Sequence, residues 1–269
     1  MEYESFDYSV TDGIATVCLD NPTQLNALTF KTYEELETLT RLLEDDGSVH
    51  VLIITGTGKA FSSGGSVDEI IGELLGMNGV QLHAFTRLTC NVVRNMRRLR
   101  KPIIAAVNGI AAGGGSVLAL ASDFRILSEN AKFAFLFVRV GLAGSDMGAI
   151  YLLPRLVGHA RAMELLTLGD TVSAPAAERM GLANRVVKPD ALMDEALGLA
   201  HRLKDGPRYA IGVTKELLNL EGTMELDAAL EVESMAQARC MQTPDFHEGF
   251  RAFMAKEKPR FNQKEPAKS

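Results

Sequence analysis

The sequence predicts an α/β fold in which short buried strands alternate with helices. Residues 51–55 and 103–107 are continuous apolar runs, each closed by a glycine and followed within a few residues by a helical pattern. Continuous apolarity is typical of strands that are covered on both faces. Residues 124–127 and 132–135 predict two shorter strands of the same layer. From about residue 148 to residue 261 the pattern is mostly helical, with prolines at the expected boundaries.

The first 43 residues predict a hairpin followed by a helix. Residues 8–10 and 14–19 flank Asp12-Gly13, a pair that readily takes the positive φ angles of a tight hairpin turn. From Thr29 to Leu43, apolar residues recur at helical spacing and acidic residues occupy the other face. The chain therefore opens with β structure and continues into an amphipathic helix.

Composition limits the class of protein. With 269 residues, of which 46% are hydrophobic and 23% charged, the chain fits one large core or a main domain with a smaller appendage. A net charge of −6 argues against a nucleic-acid partner, and no apolar run approaches the roughly 18 residues of a membrane span. Cys18, Cys90 and Cys240 lack the paired spacing of a metal or redox site. We therefore expect a cytoplasmic protein with free thiols, no metal, and no membrane or nucleic-acid partner.

A local basic cluster, residues 94–101, interrupts this acidic chain. It has two interpretations of about equal weight. Cations in a last helical turn favour the helix macrodipole, and the same cluster would suit a ligand that bears phosphate.

Two glycine-rich turns, residues 59–66 and 108–116, each leave a predicted strand and open a predicted helix. Backbone N–H groups in such turns have neither a side chain in the way nor an intrahelical acceptor, so two turns brought together could hold an oxyanion. Close packing of strand on helix explains a single glycine well but Gly113-Gly114-Gly115 less well, which favours a functional role. Two nucleotide-binding motifs fail near the first turn. Phe61 stands where G-x-G-x-x-G needs its last glycine, and Ile53 stands where G-x-x-x-x-G-K-[ST] needs its first.

Asp146 is the acid that stands out, since residues 141–148 form a small, apolar, turn-like setting before a helix. Such a carboxylate is either a helix N-cap or a base with a shifted pKa, and from the residues alone the cap is the commoner case. The five histidines have no suitably placed partner in the sequence. Histidine catalysis is therefore not predicted.

Four segments together, residues 58–65, 101–109, 113–123 and 153–158, resemble the enoyl-CoA hydratase/isomerase (crotonase) family in order and spacing, from about residue 10 to residue 261. The resemblance implies a spiral of ββα units over residues 1–200 and a helical C-terminal trimerisation segment over residues 201–269. It also implies a homotrimer or a dimer of trimers. The substrate would be an acyl-CoA thioester, whose coenzyme A belongs to the substrate, so no separate cofactor is expected.

The resemblance also assigns roles to particular residues. The two N–H groups that hold the thioester oxygen would be those of Gly65 and Gly114. A lysine that reaches the coenzyme A phosphate of a neighbouring subunit would be Lys256. The remaining contacts to coenzyme A would fall on Gln24, Leu25, Ala27, Ser63, Gly65 and Val67.

The chain departs from the hydratases of the family, whose two catalytic glutamates would match Val117 and Phe137. Neither side chain carries a proton. A third acidic position, used by the isomerases of the family, falls on Asp146. One carboxylate can take a proton from one carbon and return it to another while an oxyanion hole holds the dienolate. We therefore predict a 3-enoyl-CoA to 2-enoyl-CoA isomerase with Asp146 as its single acid and base.

Three alternatives remain open. A hydratase, and thus a lyase, would use a water placed by Asp146 and by Ser145 or Ser116. An arenoyl-CoA dehalogenase or hydrolase would use the same aspartate as its nucleophile, although the histidine of those enzymes falls on Cys90 and their tryptophan on Phe137. A non-catalytic acyl-CoA binder would have lost its glutamates.

Two further assignments concern the acyl group. Phe137, with Phe133 and Phe135, would either contact a flat acyl group or belong to the core. Arg139 would pair with a substrate carboxylate or, as the commoner case, form a surface salt bridge.

Overall fold

The computed structural model describes residues 2–263, and its strands form two sheets. The larger sheet has the order β1 (Phe6–Thr11), β2 (Ile14–Leu19), β3 (Val51–Gly56), β5 (Ile103–Val107), β7 (Phe124–Ser128) and β10 (Arg185–Val187). The smaller sheet has the order β4 (Ala60–Ser62), β6 (Ile110–Ala112), β8 (Lys132–Ala134) and β9 (Thr171–Ser173). The predicted α/β class is confirmed.

The chain passes from one sheet to the other at each turn of a spiral. Strands β3, β5 and β7 are parallel neighbours in the larger sheet, while β4, β6 and β8 are parallel neighbours in the smaller sheet. The predicted spiral of ββα units is therefore confirmed. One detail was wrong: the strand predicted at residues 132–135 belongs to the smaller sheet and not to the layer of β7, because β3, β5 and β7 are each followed by a strand of the smaller sheet.

The larger sheet is buried on both faces, as the continuous apolar runs predict. Every residue of β3 and β5 is buried. One face belongs to the main core between the sheets and helices. The other face is covered by α8 (Leu192–Lys204), which packs Leu192, Ala196 and Ala200 against the outward side chains of the sheet. Burial on both sides explains why these strands do not alternate in polarity.

The predicted hairpin and first helix are both present. Asp12 and Gly13 take φ angles of 51° and 74°, as the tight turn requires. Helix α1 (Phe30–Leu42) begins at Thr29, whose side chain accepts from the backbone N–H of Thr32 in a reciprocal capping pair. This helix packs against α3 (Gly79–Arg98).

Further helices complete the fold. A π-helical turn, Val67–Ile71, runs into α2 (Gly72–Leu74), and short 3₁₀ turns occupy Pro22–Gln24, Leu136–Val140, Pro189–Ala191 and Glu221–Thr223. The others are α4 (Gly114–Ala121), α5 (Ala149–Val157), α6 (His159–Leu168), α7 (Ala174–Arg179), α9 (Arg208–Leu220), α10 (Leu226–Met241) and α11 (Pro244–Ala255). Between residues 2 and 263, no helix is long and apolar enough to cross a membrane.

The helical C-terminal part is present, and the division at residue 200 stays a prediction. Helix α8 runs across that position while it covers the sheet. Helix α9 is tied to the body by Lys215, whose ammonium lies 2.7 Å from the carboxylate of Asp123. Helix α10 has no buried residue in the single chain.

The basic cluster at residues 94–101 lies at the end of α3. Two of its arginines form ion pairs within the chain, Arg97 with Asp123 and Arg100 with Glu216. These pairs favour the interpretation as a helix end over that as a phosphate site. The three cysteines are free thiols and half-buried.

Candidate active site

The two glycine turns meet where strands β4 and β6 end. Because these strands are parallel neighbours, the turns that follow them emerge at the same edge of the smaller sheet. Gly64 has a φ of 92°, and a Cβ built on it would lie 2.8 Å from the carbonyl oxygen of Ala112 and 3.3 Å from Cα of Gly113. Only glycine permits this approach. The structure thus brings together the two segments that the sequence singled out.

The N–H of Gly65 is left free by the way its turn is held. The amide of Leu28 donates to the carbonyl of Gly64 at 2.7 Å, and the amide of Ser66 donates to the carbonyl of Leu28 at 2.8 Å. Gly65 lies between these two bonds, opposite Leu28 in an isolated parallel bridge. Among residues 2–263, its N–H donates no hydrogen bond.

The N–H of Gly114 also donates no hydrogen bond within the part of the chain that the structure describes, for a different reason. Gly114 is the first residue of α4, so its N–H has no acceptor one turn earlier in the helix. Gly113 supports the turn by donating to the carbonyl of Ala134 at 2.9 Å, and the hydroxyl of Ser116 donates to the carbonyl of Gly113 at 2.6 Å. The positive end of the helix dipole coincides with this free donor, an arrangement that can stabilise an anionic oxygen.

Asp146 is not a helix cap. The N-cap of α5 is Gly148, and no side chain caps that helix. Asp146 contributes its carbonyl oxygen, which accepts from the amide of Ala149 at 2.8 Å. Its carboxyl is half-buried, and this burial raises its pKa above the ordinary aspartate value, with the backbone amide of Met147 opposing the shift. The side chain is therefore left available as a base.

Three residues lie near this acid, and the sequence analysis named only Cys90 among them, for the dehalogenase alternative. Tyr33 is buried, and its pKa is raised first by that burial and then by the charge of Asp146. The thiol of Cys90 likewise has a raised pKa from burial and from Asp146. Met147 accepts a hydrogen bond from Tyr33. In the sequence Tyr33 is one apolar position of α1 among several, and only its hydroxyl distinguishes it.

The two positions that the resemblance matches to the glutamates of the hydratases are apolar and closed. Val117 is fully buried in α4, and Phe137 is 5% exposed in the turn Leu136–Val140. Phe133 and Phe135 are fully buried and stack on each other with ring centroids 6.4 Å apart. These two phenylalanines belong to the core, so the pocket interpretation is wrong for them. The predicted contact of Phe137 with substrate stays a prediction.

The residues predicted to bind coenzyme A lie mostly together. The amide of Ser63 donates to the carbonyl of Leu25 at 2.9 Å, and its hydroxyl donates to the carbonyl of Gln24 at 3.2 Å. Asn26, which the sequence analysis missed, anchors this loop by donating its amide to the carbonyls of Thr57 and Ala60. The full predicted set is Gln24, Leu25, Ala27, Ser63, Gly65 and Val67, and both Leu25 and Val67 are exposed.

Two predicted contacts lie away from this group. Lys256 ends α11 with a φ of 55° and is exposed, and its reach toward a neighbouring subunit stays a prediction. Arg139 pairs with Asp170 at 3.0 Å on the surface, as the commoner alternative predicted.

Fold and site together define a class of α/β proteins: a two-sheet spiral that presents two main-chain donors, with one half-buried carboxylate on the turn before α5. Comparison with known proteins gives the family. The sequence model described as enoyl-CoA hydratase/isomerase matches residues 9–264. The chain belongs to this family, the crotonases, and is an acyl-CoA-processing enzyme of it.

The similarity to known relatives extends over nearly the whole chain. A 1,2-epoxyphenylacetyl-CoA isomerase of Escherichia coli K12 is 35% identical over 255 residues, or 95% of this chain and 97% of that protein. A crotonyl-CoA hydratase of Syntrophomonas wolfei is 35% identical over 265 residues, or 98% and 100%. The crystal structure of a protein from Streptomyces coelicolor A3(2), assigned as an enoyl-CoA hydratase, superimposes with a TM-score of 0.95 at 47% identity over 98% of this chain and 96% of that one.

Proposed function

We propose that this enzyme isomerises a 3-enoyl-CoA thioester to the 2-enoyl-CoA thioester. The observation that carries the proposal is the pairing of one half-buried acid, Asp146, with buried apolar residues at the two glutamate positions of the hydratases, Val117 and Phe137. Relatives named isomerase and relatives named hydratase are equally similar to this chain. The choice between the two reactions therefore rests on the site.

The reaction needs one base and one place for negative charge. The carboxylate of Asp146 takes a proton from C2 of the substrate. The electron pair of the broken C–H bond forms a C1–C2 double bond, and the π pair of the thioester carbonyl moves onto its oxygen. The N–H groups of Gly65 and Gly114 hold the dienolate oxygen. Asp146, now protonated, returns the proton to C4, so the double bond moves from C3–C4 to C2–C3 with no net gain or loss of atoms.

The electrostatics of the site suit this cycle. Each fixed donor aimed at a developing oxyanion contributes roughly 3–4 kcal/mol to the transition state. A raised pKa makes Asp146 a stronger base than an ordinary aspartate, and it also makes the protonated form easier to reach in mid-reaction. The same carboxyl thus serves both half-reactions.

The structure offers less support to the other reactions. Ser116, one candidate for placing a water, is fully buried and already donates to the carbonyl of Gly113. Cys90, which stands where the dehalogenases have a histidine, is a thiol whose pKa is raised, so it is a poor general base at neutral pH. Isomerisation requires neither of them.

The decisive variant is Asp146→Asn, with Asp190→Asn, an exposed aspartate, as its matched control. We expect turnover of 3-enoyl-CoA to fall by about 10²–10⁴-fold, with unchanged binding of the CoA ester by calorimetry, and no effect of the control. Mass spectrometry separates the reactions, since hydration adds the mass of one water and isomerisation adds nothing. Retained turnover in Asp146→Asn, or a hydrated product from the wild type, contradicts the proposal.

We also propose that the enzyme assembles as a homotrimer or a dimer of trimers in the cytoplasm. Helix α10 buries no residue in the single chain, and α11 exposes Phe250 and Phe253. Apolar surface of this kind marks an interaction site. Light scattering should give three or six times 29.2 kDa, and a lower mass for Phe250→Asp. A monomeric wild type contradicts this assembly.

A further inference from the structure

One tyrosine lies between the two halves of the proposed site. Tyr33 is 3% exposed, and its hydroxyl donates to Sδ of Met147 across 3.7 Å. The same hydroxyl lies against Gly114, because a Cβ built on Gly114 would meet it well inside the 3.0 Å that real Cβ atoms respect. A single hydroxyl therefore contacts the residue after the proposed base and the residue that carries one of the proposed oxyanion donors.

Met147 needs to be held in place. Its φ of 48° lies in the left-handed region, which costs a side-chain-bearing residue free energy and persists only where the surroundings fix it. The side chain is 2% exposed, and its Sδ would lie 3.5 Å from a Cβ on Gly114. Tyr33 and Gly114 thus both contact the Met147 side chain, and the next residue toward the N terminus is Asp146.

Tyr33 itself is rigid enough to serve as the support. Its ring packs edge-on against Phe85 with centroids 5.9 Å apart at 79°, and Phe85 packs in the same way on Phe30 at 4.8 Å and 68°. A thioether is a weak hydrogen-bond acceptor. The contact between hydroxyl and sulfur therefore fixes a position more than it stabilises the fold.

We propose that Tyr33 and Met147 are positioning residues: their contact, seated on Gly114, fixes the turn of residues 144–148 so that the Asp146 carboxyl stays half-buried beside the oxyanion donors. We call this contact the Tyr33–Met147 clamp. The Tyr33–Met147 clamp is a contact of the free protein. It rests on the proposed function only in that Asp146 is taken as the base. The charge of Asp146 contributes to the raised pKa of Tyr33, which agrees with the closeness of the two side chains.

The test uses Tyr33→Phe, Met147→Leu and the double variant, with Tyr209→Phe and Met163→Leu at exposed positions as matched controls. Each clamp variant removes one partner of the contact and nearly conserves volume. We expect kcat to fall about tenfold in each single variant with KM changed by less than about twofold, because the acid is misplaced while binding is retained. The double variant should be no slower than the single ones, since the two residues act through one contact.

The second readout is the pKa of Asp146 in the free enzyme, followed by ¹³C NMR of labelled aspartate and assigned by the signal lost in Asp146→Asn. Tyr33→Phe should lower this pKa toward the ordinary value, because a released carboxylate gains water. A change in stability alone would not move it.

The outcomes separate the clamp from the proposed function. An unchanged kcat, multiplicative losses in the double variant, or an unchanged pKa of Asp146 in Tyr33→Phe overturns the clamp. The NMR titration needs no substrate. If the wild type converts no 3-enoyl-CoA and Tyr33→Phe still lowers the pKa, the proposed function falls and the clamp stands.

Discussion

Adding one methyl group at each of the two proposed oxyanion donors should have different effects on stability. Gly114 and Gly65 both have backbone angles open to alanine, so substitution strains neither main chain. A Cβ on Gly65 meets only Ile70, at 3.8 Å, which is ordinary contact. A Cβ on Gly114 collides with the hydroxyl of Tyr33 and lies 3.2 Å from Cδ1 of Leu28. Both variants keep the N–H.

The size of the stability loss in Gly114→Ala depends on whether the atoms that the new methyl group meets can move aside. The Tyr33 ring is buried and packed on Phe85, so it cannot swing aside as the end of a flexible chain would. Overpacking of this kind costs about 1–3 kcal/mol, and we take the upper end. Alanine also restricts the conformations of the unfolded chain, which stabilises the folded state of either variant by about 0.4–1 kcal/mol. We therefore expect Gly114→Ala to lose about 2 kcal/mol, and Gly65→Ala to be unchanged or slightly more stable.

Urea denaturation and thermal unfolding measure this difference. A loss of about 2 kcal/mol corresponds to a fall in Tm of roughly 4–8 °C for a chain of this size. The variant Gly114→Ala/Tyr33→Phe should recover part of the loss, because it removes the oxygen atom that the new methyl group meets. Equal stability of Gly114→Ala and Gly65→Ala, or no recovery in the double variant, would refute the packing described around Gly114.

Two further predictions concern buried charge. Burial raises the folded-state pKa of Asp146 above its ordinary value of 3.8, so the folded protein holds this proton more tightly and loses stability as pH rises through that window. Asp146→Asn should accordingly be more stable than wild type at pH 7, on the order of 1 kcal/mol. In urea titrations this advantage should vanish below pH 3.8. Equal stability of the two proteins at pH 7 would count against the burial of the carboxyl. In the same assay, Asp123→Asn should lower the free energy of unfolding by about 3–5 kcal/mol, because it leaves the buried ammonium of Lys215 without its carboxylate partner. Arg139→Ala, at an exposed ion pair, should change it by less than about 0.5 kcal/mol.

Local patterns in the sequence predicted the elements whose formation depends on neighbouring residues. The hairpin at Asp12-Gly13 follows from the φ angles that this pair allows, and α1 follows from the spacing of its apolar positions. Continuous apolar runs identified the strands buried on both faces. The strand at residues 132–135 was predicted in the wrong sheet. The sheet that a short strand joins depends on partners far away in the chain.

The same contrast between local patterns and contacts of distant residues applies to the candidate site. The close approach of the two glycine turns was predictable because a run of glycines needs a reason within the chain itself, and close backbone approach is such a reason. The roles of Gly65 and Gly114 as oxyanion donors came from the family resemblance and stay a prediction. Tyr33 gave no signal, since its role arises from a contact with Met147, 114 residues later. The cap interpretation of Asp146 failed for a related reason: the positive φ of Met147 and Gly148 moves the start of α5 two residues onward and leaves the acid outside the helix.

Among residues 2–263 the half-buried carboxyl of Asp146, the proposed base, has no ion pair, and this turn explains how it is kept there. A carboxylate in an apolar setting ordinarily swings toward water or finds a cation, because desolvation disfavours its charge. Here the backbone on its C-terminal side is held in the left-handed region by the burial of Met147 against Tyr33 and Gly114. The free energy that makes Asp146 a stronger base is then supplied by packing at the neighbouring residue. On this reasoning the donor and the base are positioned by one shared contact, so a change at Gly114 should disturb proton transfer as well as oxyanion binding.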